Sequence, residues 1–210
     1  MINKEHVLQK LEEIYSELEQ APDNPDLLND LGVGYYLIGE YDQSIRKLEE
    51  AVKIKPDSVS FLFNLGNSYA ENDNFSEAIL QFLKALELNP EHLPSLNNLA
   101  NCYDNTRNTE NAFELFSYIT KIAHEDPFAH FNLGNFLLRN NRHIEAVKRY
   151  EKVFELDSGF TDAFYNIAWI LSEAGATSEA LSYIEKGLKT APNDEDLLKL
   201  RDELKADERD

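Results

Sequence analysis

The sequence is poor in cysteine, in bases and in long apolar runs. Cys102 is its one cysteine. That excludes an intrachain disulfide and suits a reducing compartment. Lysine and arginine number 20 against 39 acids, a formal net charge of −19. A surface this acidic repels phosphate backbones and anionic membranes, so neither nucleic acid nor membrane is an expected partner. The opening MINKEHVLQKLEEIY has no unbroken apolar core of the kind a secretory signal needs. In the C-terminal half the longest purely apolar stretch is IAWIL, far too short to cross a bilayer. A soluble, cytoplasmic protein is expected.

Residues for chemistry are equally sparse. No phosphate-binding glycine loop occurs. His92, His124, His130 and His143 are scattered, and the six-residue step from His124 to His130 is not a helical ligand spacing. His130 is expected in a core, and Cys102 as a buried, inert thiol. No catalytic residue, no metal and no cofactor is therefore expected, and the chain is not read as an enzyme.

What the sequence does have is a rhythm. Pro22, Pro56 and Pro90 stand 34 residues apart, and Pro192 lies three such steps beyond Pro90. Five units follow without insertion: 25–58, 59–92, 93–126, 127–160 and 161–194. Their eighth places hold Gly32, Gly66, Ala100, Gly134 and Ala168; their twentieth, Ser44, Ala78, Ala112, Ala146 and Ala180; their twenty-fourth, Leu48, Phe82, Phe116, Tyr150 and Ile184. Small residues facing large ones at fixed places predict two closely packed helices per unit. The fifteenth places, Gly39, Asp73, Arg107, Asn141 and Gly175, predict the break between them. Arg107 suits a left-handed turn least, so that turn is expected to be built differently.

Leu65, Gly66, Tyr69, Ala78, Phe82, Ala85 and Pro90 carry a resemblance to the tetratricopeptide repeat family over residues 25–194. The resemblance implies an all-α fold, a right-handed α-solenoid of helical hairpins. His124 and Ser158 replace the closing proline, and Ile119 and Val153 a small alanine, so the neighbouring hairpins are expected to pack differently there. An array of hairpins needs covers at its ends. Residues 1–24, with Val7, Leu11, Ile14, Tyr15 and Leu18 on one face, are expected to form an N-terminal capping helix. Residues 195–210 are expected to form a C-terminal cap with a charged tail, with Arg201, Asp202 and Lys205 on the face where another hairpin would dock.

In the family the first helix of each hairpin lines a concave groove, and places 2, 5, 9 and 12 face it. Place 6 lies at the border of that face. Here place 6 reads Asp30, Asn64, Asn98, Asn132 and Asn166, and place 9 reads Val33, Asn67, Asn101, Asn135 and Trp169. An amide offers two donors and an acceptor, matching the polar edge of an extended peptide. The series resembles the asparagine ladder in the repeat half of O-linked N-acetylglucosamine transferases; their catalytic half has no counterpart here. At place 6 an amide bonded to backbone in the neighbouring helix is the expected role, and at place 9 contact with a ligand. Asn97, Phe63, Phe128, Phe131, Tyr165, Trp169 and Leu138 add to the groove, with the aromatic residues of the fourth and fifth units gathered as one binding surface unless a cap helix or a second copy covers them. The fourth unit alone has more bases than acids, from Arg139, Arg142, Lys148, Arg149 and Lys152; of these only Arg139 is expected to reach the groove. Family members that clamp a C-terminal carboxylate use Lys and Arg at places 2, 5 and 6. Asn29 and Phe63 stand where a lysine would be, which argues against that clamp.

The expected function is a non-enzymatic adaptor or scaffold that binds a protein or peptide, extended and partly apolar, in its groove. Two alternatives stay open: a scaffold built by weak self-association, and a substrate-recruiting subunit of an enzyme complex.

Overall fold

The computed structural model describes residues 4–207, and among them it contains twelve helices and no strand. The chain divides into two compact units, 1–115 and 116–210. The first holds α1 (Lys4–Leu18), α2 (Pro25–Leu37), α3 (Tyr41–Ile54), α4 (Val59–Glu71), α5 (Phe75–Leu88) and α6 (Leu93–Asn105). The division falls within α7 (Thr109–Ile122). The second holds α8 (Pro127–Arg139), α9 (His143–Leu156), α10 (Thr161–Glu173), α11 (Thr177–Thr190) and α12 (Glu195–Asp207).

The helices start where the sequence offers caps. Asn24 Oδ1 accepts from the backbone N–H of Asp26 at 3.0 Å, with Pro25 in the first turn of α2. Asp126 does the same for Phe128 at 2.9 Å ahead of α8, and Asp194 for Leu197 at 3.0 Å ahead of α12. Each cap satisfies a backbone donor that would otherwise lack a partner.

All five hairpin turns are built alike. Gly39, Asp73, Arg107, Asn141 and Gly175 have positive φ, and each turn closes with the same pair of backbone hydrogen bonds. At Arg107 these are Arg107 N–H to Asp104 O at 2.9 Å and Asn108 N–H to Tyr103 O at 2.8 Å, the two bonds of a Schellman motif. The different turn expected at Arg107 is therefore not formed. The arginine takes the left-handed conformation, φ 60°, because the two bonds satisfy helix-end carbonyls that no other backbone route would reach. A non-glycine residue there costs about 1–2 kcal/mol, against which glycine adds unfolded-state entropy. Arg107 is exposed, so little contact is lost on removing its side chain. Arg107→Gly is expected to raise stability by about 0.5–1 kcal/mol, seen as a higher thermal midpoint by circular dichroism.

The core is a stack of small-against-large contacts. A Cβ on Gly32 would lie 2.4 Å from Leu48, one on Gly66 2.6 Å from Phe82, and one on Gly134 2.6 Å from Tyr150. Each glycine lets the helices of its hairpin close onto a fully buried side chain. Where the eighth place is Ala168, the twenty-fourth is Ile184, and both are fully buried. Ser44, at a place that is alanine in the other units, is buried and bonds Gly32 O and Ser68 Oγ, both at 2.7 Å.

Helix α1 lays Leu11 and Leu18 into a cluster with Leu28, Leu31, Ala51 and Phe61, with Val7 and Ile14 packed against it. Tyr15 stays 42% exposed, its hydroxyl bonded to that of Tyr35 at 2.8 Å. Helix α12 buries Leu197, Leu200 and Leu204 against Ile184 and Leu188. Its Asp202 and Lys205 are exposed.

Candidate functional site

First helices of successive hairpins lie side by side, α2 against α4, α4 against α6, and α10 against α12. That adjacency brings amides together. In the first unit Asn64 Nδ2 donates to Asn29 Oδ1 at 2.9 Å, and Asn98 Nδ2 donates to Asn67 Oδ1 at 2.7 Å. In the second, Asn166 Nδ2 donates to Asn135 Oδ1 at 3.3 Å, and the Tyr150 hydroxyl donates to the same oxygen at 2.8 Å. At place 6 Asn64, Asn98 and Asn166 do bond a neighbouring helix, but the acceptor is a side-chain amide and not the backbone that was expected.

These bonds fix which way the place-9 amides face. An asparagine whose oxygen is taken from the protein side presents its NH2 outward. Asn67 and Asn135 both have that arrangement, with no partner for Nδ2 among the described residues. Asn101 is exposed at the same place. Each unit thus offers outward amide donors, suited to carbonyl or carboxylate acceptors.

Each unit also has a cleft at these amides. In the first, about 490 Å³ is bordered by Tyr36, Asn67, Glu71, Asp73, Phe75, Asn98, Asn101 and Asn105. Cys102 lines it too, but burial pushes that thiol up to about 11, so it stays protonated and inert at neutral pH. In the second unit, about 390 Å³ is bordered by Phe131, Asn135, Tyr165, Asn166, Thr161 and three carboxylates, Asp162, Asp194 and Asp196.

Phe131 and Tyr165 line the second cleft, whereas Trp169 and Leu138 do not. The cleft's lining on α10 runs from Thr161 to Asn166, and Trp169 stands about one turn beyond it, 37% exposed. Phe128, 60% exposed, packs on Phe160 at 5.1 Å between ring centroids, and Phe131 packs on Phe160 at 4.8 Å and on Tyr150 at 5.7 Å. Phe160 was missed in the sequence, yet it carried a signal. It occupies the N-cap of α10, where α2, α4, α8 and α12 begin on Asn24, Ser58, Asp126 and Asp194, and like His92 ahead of α6 it supplies no side-chain cap. A missing cap costs about 1 kcal/mol, and the ring's contacts with Phe128 and Phe131 offset it.

The remaining predicted residues are spread. Phe63 is half-buried between the rings of Phe82, 6.1 Å away, and His92, 5.4 Å away. Asn97 Nδ2 bonds Leu93 O at 3.1 Å. Asn132 is half-buried on α8, and Arg139 is exposed at its C-terminal end. Among the described residues no group of three or more His, Cys, Asp or Glu is arranged to hold a metal ion, and no helix is long and apolar enough to cross a membrane.

Known families and structures agree with this geometry. A TPR repeat model matches residues 34–73, and tetratricopeptide repeat models match 59–92, 82–114 and 137–204. The structure is similar to a tetratricopeptide repeat protein from Parabacteroides merdae, with TM-score 0.78 and 18% identity, over 97% of this chain and 80% of that one. It is similar to pilF of Pseudomonas aeruginosa, with TM-score 0.71 and 17% identity, over 94% and 90%. It is also similar to YrrB, described as a TPR protein with an unusual peptide-binding site, with TM-score 0.63 and 19% identity, over 90% and 97%. At such identities the likeness is one of fold. No curated protein matches the chain in sequence. With four repeat models matched across 34–114 and 137–204 and hairpins recurring every 34 residues, the chain belongs to the tetratricopeptide repeat family, and its fold is an all-α solenoid.

Proposed function

We propose that this chain is a protein-binding adaptor whose first helices hold extended partner segments, Asn67 in the first compact unit and Asn135 in the second each donating to backbone carbonyls of the segment bound there. Tetratricopeptide repeats support a protein–protein interaction scaffold, and the amide orientation supplies the finer reading. The observation that carries it is the seated Oδ1 of two place-9 asparagines, that of Asn67 taken by Asn98 and that of Asn135 by Asn166 and Tyr150. A helical partner would have spent its carbonyls on its own backbone, so an extended one gains more from such donors. Phe131 and Tyr165 supply apolar contact, and Asp162, Asp194 and Asp196 favour a segment carrying lysine or arginine.

The test is a randomised peptide library selected on the full chain, followed by calorimetry with the selected peptide. The variant Asn67→Ala with Asn135→Ala is expected to bind about tenfold more weakly, or about 1.4 kcal/mol, with helicity unchanged. Equal affinity would remove the amides from the binding site. Selection of no peptide, with light scattering that grows with protein concentration, would favour self-association instead.

A further inference from the structure

On α8 and α9 there is a third cleft, of about 400 Å³, sharing no lining residue with the two amide clefts. His130, Glu145, Lys148, Arg149 and Lys152 line it. In an acidic chain this is a concentration of positive charge, and its one carboxylate is already engaged. Both oxygens of Glu145 are held by Arg142, at 2.7 Å each. The structure pairs neither Lys148 nor Arg149 with a carboxylate among the described residues, whereas Lys152 Nζ bonds Glu155 Oε2 at 3.1 Å in an exposed pair that an anion would compete with.

His130 makes the cleft more than a surface patch of bases. It is only 5% exposed. Its Nε2 lies 3.1 Å from the His124 backbone carbonyl. A carbonyl can only accept, so Nε2 carries the hydrogen. Nδ1 is then the free nitrogen, and it is buried with no hydrogen-bond partner among the described residues. A buried polar atom left unpaired is costly and calls for a physical reason.

We propose that this cleft binds a single oxoanion of the phosphate type, with Lys148, Arg149 and Lys152 neutralising it and protonated His130 donating from Nδ1. Basic side chains beside a buried imidazole suit a tetrahedral anion, since lysine supplies point charge and arginine a planar fork of donors. By itself the protein opposes protonation of the ring. Burial, Arg149 and Lys152 lower the His130 pKa, and the His124 carbonyl and Asp126 raise it less. Lys148 and Glu145 complete the set of charges around the ring. An anion reverses this balance, so binding and protonation are linked: occupancy raises the His130 pKa, and lower pH tightens binding.

The experiment follows the His130 ring resonances by nitrogen-edited NMR on the full chain. One arm adds inorganic phosphate and another a phosphoserine peptide otherwise of glycine and alanine. Both are compared with chloride at constant ionic strength. A saturable shift with a raised His130 titration midpoint in either arm, weakened about tenfold by Arg149→Gln with Lys152→Gln, supports the site. Response to phosphate assigns it to the free ion, and response to the peptide alone assigns it to a phosphorylated side chain. Shifts no larger than those with chloride, or equal affinity in the double variant, overturn it.

Discussion

Phe82→Ala is expected to destabilise the first unit by about 3–5 kcal/mol. The ring is fully buried, in a cluster with Ala78, Leu99 and Cys102, and Phe63 and Leu115 pack against it. It also sits where a Cβ on Gly66 would need to be, 2.6 Å from the ring. The two residues therefore depend on each other, which gives a sharper expectation than the size of the loss. In the native background Gly66→Ala forces the ring to move in a packed core, costing about 1–3 kcal/mol and outweighing the roughly 1 kcal/mol that alanine gains in a helix. In the Phe82→Ala background the clash is gone and the helix gain remains. The same Gly66→Ala change should then stabilise by about 1 kcal/mol. Urea denaturation followed by circular dichroism measures all four proteins, and hydrogen exchange should place the lost protection in α4–α6, since repeat arrays respond locally. A Gly66→Ala effect of one sign in both backgrounds would show that the small–large contact does not set the spacing of this hairpin.

That contact was legible from the letters alone because it is periodic. Glycine at place 8 and a bulky residue at place 24 recur together, and so do the turn residues at place 15. Arg107 shows where the reading by residue type stopped. Its own propensity argued for a different turn, but the Schellman bonds and the packed helices on either side hold it in the common one. The place-6 and place-9 asparagines were legible as a series, but their pairing was not. Asn98 meets Asn67 and Asn166 meets Asn135 across 31 residues, while Asn64 meets Asn29 across 35. Val33 at place 9 of the first unit has no amide to offer, so Asn64 turns to place 5. No local pattern encodes that choice; it depends on how adjacent helices are set along their axes. The carboxylates of the second cleft were hidden for another reason. Asp194 reads as a helix cap, which it is, and only the fold brings it with Asp162 and Asp196 beside Phe131.

The sharpest link between core and site is Tyr150. Its ring fills the space that Gly134 leaves, fully buried, and its hydroxyl reaches Asn135 Oδ1. Burial pushes the phenol well above its ordinary range, so it remains a donor at any physiological pH. With Asn166 it holds both lone pairs of the Asn135 oxygen and so keeps the NH2 turned outward. Tyr150→Phe removes one restraint and Asn166→Ala the other. Each is expected to cost about 0.5–1.5 kcal/mol of stability for one hydrogen bond, and because both bonds end on the same oxygen the pair is not expected to equal the sum. Their effect on binding should not be additive. Either single variant leaves one donor holding the oxygen, so affinity for a selected peptide should fall only slightly. The double variant frees the amide to rotate through its two orientations, and affinity should then fall about tenfold, as in Asn135→Ala. Calorimetry on the four proteins, each checked for native helicity, reads this directly. Singles as weak as the double would show that Tyr150 or Asn166 touches the ligand itself, and a double that binds like the parent would show that the facing of Asn135 has no part in recognition.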